Sequence, residues 1–261
     1  MNTLVVGSEK RTLLDFLPDH FLLIDDGELI EQIEFPKRRA VTFFDVSKHS
    51  FNPVKNIDYR RAREFITVLD AVFPEGENTL TRKNSNFILL NALLAKPKSL
   101  ETLVSQPSKT DGAQTDAYQK VATLLLSSVL NNILNRPTNL SFTGTIVARL
   151  NRAELGDFDC FVIANLLISQ YKGPVVIPDF GFYSHKAHSS LIRQGRLVAG
   201  INSFSEVPKL AQLLLTIDQK LASHCTTDDA KVLAQYQGLL PATNAYNQFI
   251  DTCISYPERG S

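Results

Sequence analysis

The stretch from Gly173 to Phe204 limits the possible folds more than any other part of this chain. It begins GPVVIPDFGFY, a β-branched run bounded by Gly173 and Pro174 that ends in Asp179, and continues through SLIRQGR into a second apolar run, LVAGINSF. A strand buried on both faces of a parallel sheet reads as a short continuous apolar segment, not as an alternating one. Two such runs joined by a link of helix length therefore predict neighbouring strands of one parallel sheet. Open α/β sheets bind ligands beyond the carboxyl ends of their strands. Asp179 ends the first run and the polar Asn202 ends the second, so both are candidate site residues.

The amino terminus supplies the partner for such a site. MNTLVVG predicts a strand at the very start, and SEKRTLLDFL predicts a short helix carrying Leu13, Leu14, Phe16 and Leu17. Strand, turn and helix in that order form the context of a phosphate-binding loop, because the loop N–H groups and the helix dipole together cradle an anion. Gly7, Ser8, Glu9, Lys10, Arg11 and Thr12 occupy the turn. Measured against a full Walker A motif, GxxxxGK[ST], the turn is about four residues short. Glu9 stands where the second glycine belongs and would bring negative charge towards a triphosphate. Arg11 replaces the hydroxyl that would ligate magnesium, and Thr12 supplies one only if the register slips. Glycines permit close approach of the backbone to phosphate, so the loop is expected to be degenerate.

Further along, HFLLIDDG (His20 to Gly27) predicts an apolar strand closed by a turn, and AVTFFDVSKHSFNPV predicts another ending near Asp45. The texture then changes. Ala62, Phe65, Ile66, Leu69, Val72 and Phe73 recur at helical spacing, Phe87 to Leu94 predicts a second helix, and Val121, Leu124, Leu125, Val129 and Ile133 predict a third. The polar stretch PKSLETLVSQPSKTDGAQTD, with Pro97, Pro107 and Gly112, reads as a loop. Strand texture returns at LSFTGTIVARL. Asp157 is then expected to cap a helix bearing Phe161, Ala164, Ile168 and Tyr171, Ser205 to cap a short helix, and Thr226 or Thr227 to cap one with Asp228 and Asp229 in its first turn. A last helix is expected over NAYNQFIDTCI. The expected architecture is α/β: a largely parallel sheet with helices on both faces, made of residues 1–57 and 141–261, with residues 58–140 as an inserted all-helical subdomain.

Composition excludes several classes of function. At 261 residues and 44% hydrophobic content the chain can bury a full core. Its 27 basic and 27 acidic side chains cancel, so no global positive field draws it onto nucleic acid, and any DNA contact must be local. No apolar run approaches the length of a membrane span, and Glu9, Lys10 and Arg11 interrupt the region where a signal-peptide core would lie. The expected address is cytoplasmic. Cys160, Cys225 and Cys253 lack metal spacing and read as thiols packed like small hydrophobes.

The succession of strand, damaged phosphate loop, strands, helical insert, strand, helix, Asp-ending strand, polar-ending strand and a final strand followed by T-x-x-D-A-x-x-L resembles the RecA-like motor domain of the HerA and FtsK superfamily. Within it the coupling ATPases of conjugation and type IV secretion look nearest, since they carry an all-helical domain inserted between Walker A and Walker B. The resemblance covers nearly the whole chain in architecture but is thin in motif. It implies ATP and Mg2+ as ligands, with Gly7, Ser8, Lys10, Arg11 and Thr12 around the phosphates. Asp179 becomes the magnesium-side acid, with Thr12 as a second metal contact, and Asn202 the polar sensor where the family usually has glutamine. Arg193 or Arg196 becomes an arginine finger reaching a neighbouring subunit, in a homo-oligomer or larger ATPase assembly. It also requires Gly7 to Thr12 to lie close to Asp179, on strands that are central neighbours. One departure is serious: the family's catalytic glutamate directly follows the Walker B aspartate, and here Phe180 stands in that position.

Simpler roles compete with these. Asp179 at a strand end is suited to bonding the adjoining turn, and Arg149, Arg152, Arg193 and Arg196 to pairing with surface acids. His185 and His188, three apart, lack a third metal ligand in sequence and read as solvent-facing. Ser184 and Ser189 lack the GxSxG elbow of a serine hydrolase. Two functions remain. One is a degenerate nucleotide-binding protein, a pseudo-ATPase with weak or lost hydrolysis and an assembly or regulatory role in a DNA-handling or secretion apparatus. The other is an active ring-forming ATPase motor that translocates DNA. Glu9, Arg11 and Phe180 favour the first.

Overall fold

The structure is a computed structural model that describes residues 2–8, 10–27, 29–33, 40–73, 79–105, 112–217, 219–236 and 254–256. In chain order, β1 (Thr3–Gly7) leads into a 3-10 helix (Lys10–Phe16), β2 (Leu22–Asp25), a 3-10 turn (Ile30–Gln32) and β3 (Val41–Phe44). Five helices follow: α1 (Tyr59–Val72), α2 (Thr79–Leu94), α3 (Leu100–Val104), α4 (Gly112–Leu126) and α5 (Ser128–Asn135). Then come β4 (Thr145–Arg149), α6 (Arg152–Leu155), α7 (Asp157–Gln170), β5 (Val175–Ile177), α8 (Phe180–Tyr183), a 3-10 turn (Lys186–His188) and α9 (Ser189–Arg193). The chain continues through β6 (Leu197–Ile201), a 3-10 turn (Phe204–Glu206), α10 (Ala211–Leu214), β7 (Gln219–Ser223), α11 (Thr227–Tyr236) and β8 (Ile254–Tyr256).

The strands form one sheet in the order β3-β4-β2-β5-β6-β1-β7-β8. Pairing is parallel from β4 through β7, and β8 runs antiparallel to β7. Every residue of β1, β2, β5 and β6 is buried, as the continuous apolar runs require of strands covered on both faces. Val5, Leu23, Val147, Val176, Val198 and Leu221 share one cluster with Phe21, Leu29 and Leu13 of the first 3-10 helix. Burying a leucine such as Leu13 stabilises by about 2 kcal/mol. That contact seats the segment following β1 on the sheet and so fixes where Lys10 begins.

Contacts divide the chain into two compact units. One comprises Met1–Thr42, Gly144–Leu150 and Gly173–Ser261 and holds most of the sheet. The other comprises Phe43–Thr143 and Asn151–Lys172. In this second unit α2 packs on α4 and α1 on α7, and Lys120, 6% exposed, lies 3.4 Å from Asp116 and 4.0 Å from Asp70.

The structure corrects several local expectations. The short helix expected after β1 is present as a 3-10 helix, and Pro18 disfavours helix at the residue before it. The supposed loop over Pro97–Asp116 contains α3, capped by Ser99 accepting from Thr102 N–H, and the first residues of α4. The single helix expected through Val121–Ile133 breaks at Ser127, whose hydroxyl accepts from Leu130 N–H and so starts α5. Gly156, not Asp157, caps α7. Ser203, not Ser205, caps the 3-10 turn after β6, and Pro208 keeps that turn from continuing as one helix into α10. Thr226 is the cap of α11, its hydroxyl accepting from Asp229 N–H at 3.2 Å. The final helix expected over NAYNQFIDTCI lies outside the described residues except Ile254, which is in β8. Cys160 and Cys225 are buried free thiols, as expected, and Cys253 lies outside the described residues. Finally, β1 and β5 are not neighbours, because β6 stands between them.

A cleft at the carboxyl ends of four strands

Four adjacent strands, β2, β5, β6 and β1, bring their carboxyl ends to one cleft. It has a volume of about 380 Å3 and is lined by Ser8, Lys10, Arg11, Asp25, Asp26, Leu29, Gln32, Pro178, Asp179 and Asn202. That volume lies in the range of small-molecule sites. Lys10 extends from the first turn of its 3-10 helix, with Nζ 3.8 Å from Asp179 Oδ1, and each side chain is about one-fifth exposed (21% and 20%). The chain turns tightly into that helix, Lys10 N–H donating to Ser8 O at 3.1 Å. Gly7 ends β1 with φ at 114°, a conformation that a side chain would strain.

Asp179 lies two residues beyond the end of β5 and directly precedes α8, without donating or accepting a side-chain cap bond. Its strand is held close to β6 by Gly200, where a Cβ would come within 2.5 Å of Pro178 O. Asn202, the residue after β6, is fixed by Glu206: its backbone N–H donates to Oε2 at 3.1 Å and its side-chain Nδ2 to Oε1 at 2.8 Å. The next turn is tied to α11. Buried Asp229 accepts from Ser203 Oγ at 3.0 Å and from Phe204 N–H at 2.9 Å through Oδ1, and from Thr226 Oγ1 at 2.6 Å through Oδ2.

The cleft thus unites Ser8, Lys10, Arg11, Asp179 and Asn202, all named from sequence, while Gly7 and Thr12 flank them without lining it. Glu9 lies outside the described residues. Arg193 is exposed at the end of α9 and does not line the cleft. Arg196 precedes β6, at the end of the strand opposite Asn202, and its guanidinium is spent on Gly173 O at 2.8 and 3.0 Å and Gln194 Oε1 at 3.0 Å. His188 is a correction: far from facing solvent it is 2% exposed, 5.6 Å from the Phe180 ring, and accepts from His185 N–H through Nδ1. Burial, with the nearby His185 adding to it, pushes its imidazole down to about 3.

Asp25 and Asp26 also line the cleft. Their signal in the sequence is the same as that of Asp179, an acid closing an apolar run, here LLIDD. Asp25 is 2% exposed and its Oδ2 accepts from Leu29 N–H at 3.0 Å and Ile30 N–H at 2.8 Å. Burial raises its carboxyl above the ordinary 3.8, Asp26 adds to the rise, and backbone N–H groups, Ile30 foremost, oppose it. Three carboxylates therefore face two cations in the cleft, and a polyphosphate entering it meets unfavourable charge unless a cation accompanies it. Among the described residues no three His, Cys, Asp or Glu side chains group as a complete metal site. The carboxylates lining the cleft fit Mg2+, which is held through one or two carboxylates with phosphate and water filling its remaining positions. Asp179, 3.8 Å from Lys10 in the cleft, is the residue that would hold it.

Sheet order and site together define a RecA-like α/β fold with its cleft where such sheets bind ligands. The chain is similar to VirB4 of Thermoanaerobacter pseudethanolicus, with a TM-score of 0.65 and 12% identity over 100% of this chain and 90% of that one. It is similar also to the bacterial conjugative coupling protein TrwB in its unbound form (TM-score 0.59, 11% identity, 88% of this chain and 70% of that one). TrwB in complex with ADP and Mg2+ aligns with a TM-score of 0.58 at 10% identity, over 90% and 74% of the two chains. At these identities the likeness is one of fold, and at that level it bears out the expected parallel α/β architecture. No protein-family model and no curated protein sequence matches the chain. No helix among the described residues is long and apolar enough to cross a membrane.

Proposed function

We propose that this cleft binds a nucleoside triphosphate with Mg2+, that hydrolysis is weak or lost, and that the protein has an assembly or regulatory role in a conjugation or secretion apparatus. The observation that carries this reading is the approach of Lys10 to Asp179 at the carboxyl end of the parallel sheet, 3.8 Å apart, with Asn202 lining the same cleft. In this reading Lys10, Ser8 and the amide groups after Gly7 receive the phosphates, Arg11 adds charge, Thr12 supplies a hydroxyl at the loop's end, and Asp179 faces the metal. Residues 1–57 and 141–261 then form the nucleotide-binding domain and 58–140 its helical insert. Arg193 is the better candidate for a finger towards a neighbouring copy, because Arg196 is engaged at the far end of β6. The address proposed is cytoplasmic. Support from the comparisons is that a protein of this fold, TrwB, has been seen with ADP and Mg2+.

Weak turnover follows from chemistry. Arg11 removes a metal-binding hydroxyl, and Phe180, fully buried, puts no carboxylate at the position that follows Asp179 in the chain. Loss of one preorganised catalytic group commonly costs about 10²–10³ in rate, roughly 3–4 kcal/mol. Calorimetric titration of ATP with and without Mg2+, beside steady-state phosphate release, tests the reading. Binding is expected with Mg2+ and lost in Lys10→Ala and Asp179→Ala. Turnover of about one per second or faster, abolished by either substitution, would favour the second reading, an active ring-forming motor moving DNA.

A further inference from the structure

Attack of water on a γ-phosphate needs a group that orients the water and accepts its proton. The position after Asp179 offers none, because the Phe180 ring is buried against His188. Another acid, Asp26, lines the cleft just past the end of the adjacent strand. β2 and β5 run parallel with Leu22 opposite Val175 and Leu23 opposite Val176. Three residues beyond the second of these pairs, just past the ends of β2 and β5, stand Asp26 and Asp179. Both line the cleft with Lys10 and Asn202.

The turn that carries Asp26 is clamped on either side. Before it, Asp25 is buried and bonded to the N–H groups of Leu29 and Ile30. After it, Gly27 has φ at 124°, and the room left by its missing Cβ is filled by the Arg149 guanidinium, whose Nε would lie 2.9 Å from that Cβ. Arg149 also meets the exposed Glu31 at 3.3 Å, a surface pair that adds little to these contacts. Such second contacts give a side chain the fixed position that orienting a water demands. The other nearby acid, Glu206, does not line the cleft, and both its oxygens accept from Asn202.

We infer that Asp26 is the carboxylate that orients the attacking water, in the role that the residue after Asp179 does not fill. The inference rests on the nucleotide reading above. In the step, the water oxygen bonds to the γ-phosphorus while the bond from that phosphorus to the bridging oxygen breaks, its electron pair leaving with the diphosphate. The water proton passes to the Asp26 carboxylate and then to solvent, so that triphosphate and water become diphosphate, inorganic phosphate and a proton.

The test compares the full-length protein with Asp26→Asn, using calorimetry with a non-hydrolysable ATP analogue and Mg2+, phosphate release from ATP, and chromatography of the nucleotide retained by the protein. The expected result is affinity within about threefold of the wild type and phosphate release about a hundredfold slower or more. The wild type should retain mainly diphosphate and the variant mainly triphosphate. Equal release by both proteins overturns the inference, as does loss of analogue binding in Asp26→Asn alone, which would make Asp26 a binding residue. A wild type that binds the analogue yet releases no phosphate overturns this inference and leaves the nucleotide reading standing. A wild type that binds no analogue overturns both.

Discussion

The Glu206 carboxylate occupies the space that a side chain at Gly181 would fill: a Cβ there would lie 2.3 Å from Oε2. The same carboxylate receives both N–H donors of Asn202, so a glycine two residues beyond Asp179 sets the orientation of the polar residue ending the next strand. Gly181→Ala is therefore expected to displace Glu206. Since Glu206 is exposed and its carboxylate can rotate towards solvent, stability should change by less than about 1 kcal/mol. Asn202 loses its partner, and discrimination between di- and triphosphate in calorimetry should fall several-fold. Unchanged discrimination would show that Asn202 does not depend on Glu206.

Gly200→Ala tests a different constraint in the same strand. A Cβ at 200 would meet Pro178 O at 2.5 Å, and backbone on both sides leaves neither partner a rotamer to escape into. Overpacking of this kind costs about 1–3 kcal/mol. Urea unfolding should show a lower midpoint for Gly200→Ala than for Gly181→Ala, and the reverse order would contradict the assigned contacts.

His188 should make the fold sensitive to acid. Its native imidazole is pushed to about 3, below the ordinary 6.5, chiefly by burial. The unfolded chain therefore binds the proton more readily, and stability contributed by the neutral ring is present above 6.5 and lost as pH falls from there towards the native value. In His188→Gln this contribution is absent. Thermal melts between pH 7 and pH 4 should show the wild type losing more stability than the variant, and parallel curves would refute the assignment.

Asp25 should act in the opposite direction. Its native carboxyl titrates above the ordinary 3.8, mainly because it is buried, so its contribution is fully present below 3.8 and is lost as pH rises through the native value. Asp25→Asn keeps an oxygen for the N–H groups of Leu29 and Ile30 but carries no charge. Its melting temperature relative to the wild type should therefore rise between pH 4 and pH 7, and a constant difference would exclude a raised carboxyl.

The sequence was most informative where a single local rule sufficed. Continuous apolar runs marked β1, β2, β5 and β6 because a buried parallel strand must be apolar on both faces, and the polar residues closing those runs marked Lys10's partner Asp179 and also Asn202. The same signal precedes Asp26, which closes the run LLIDD and lines the cleft. Helical spacing marked α1, and the threonine before two acids marked α11. What required the tertiary structure were relations between residues distant in sequence. The insertion of β6 between β1 and β5, the approach of Gly200 to Pro178, the seat of Glu206 over Gly181 and the burial of His188 against Phe180 leave no trace in local periodicity. Each depends on which backbones come within a few ångströms, a choice that packing makes among many segments of equal local propensity.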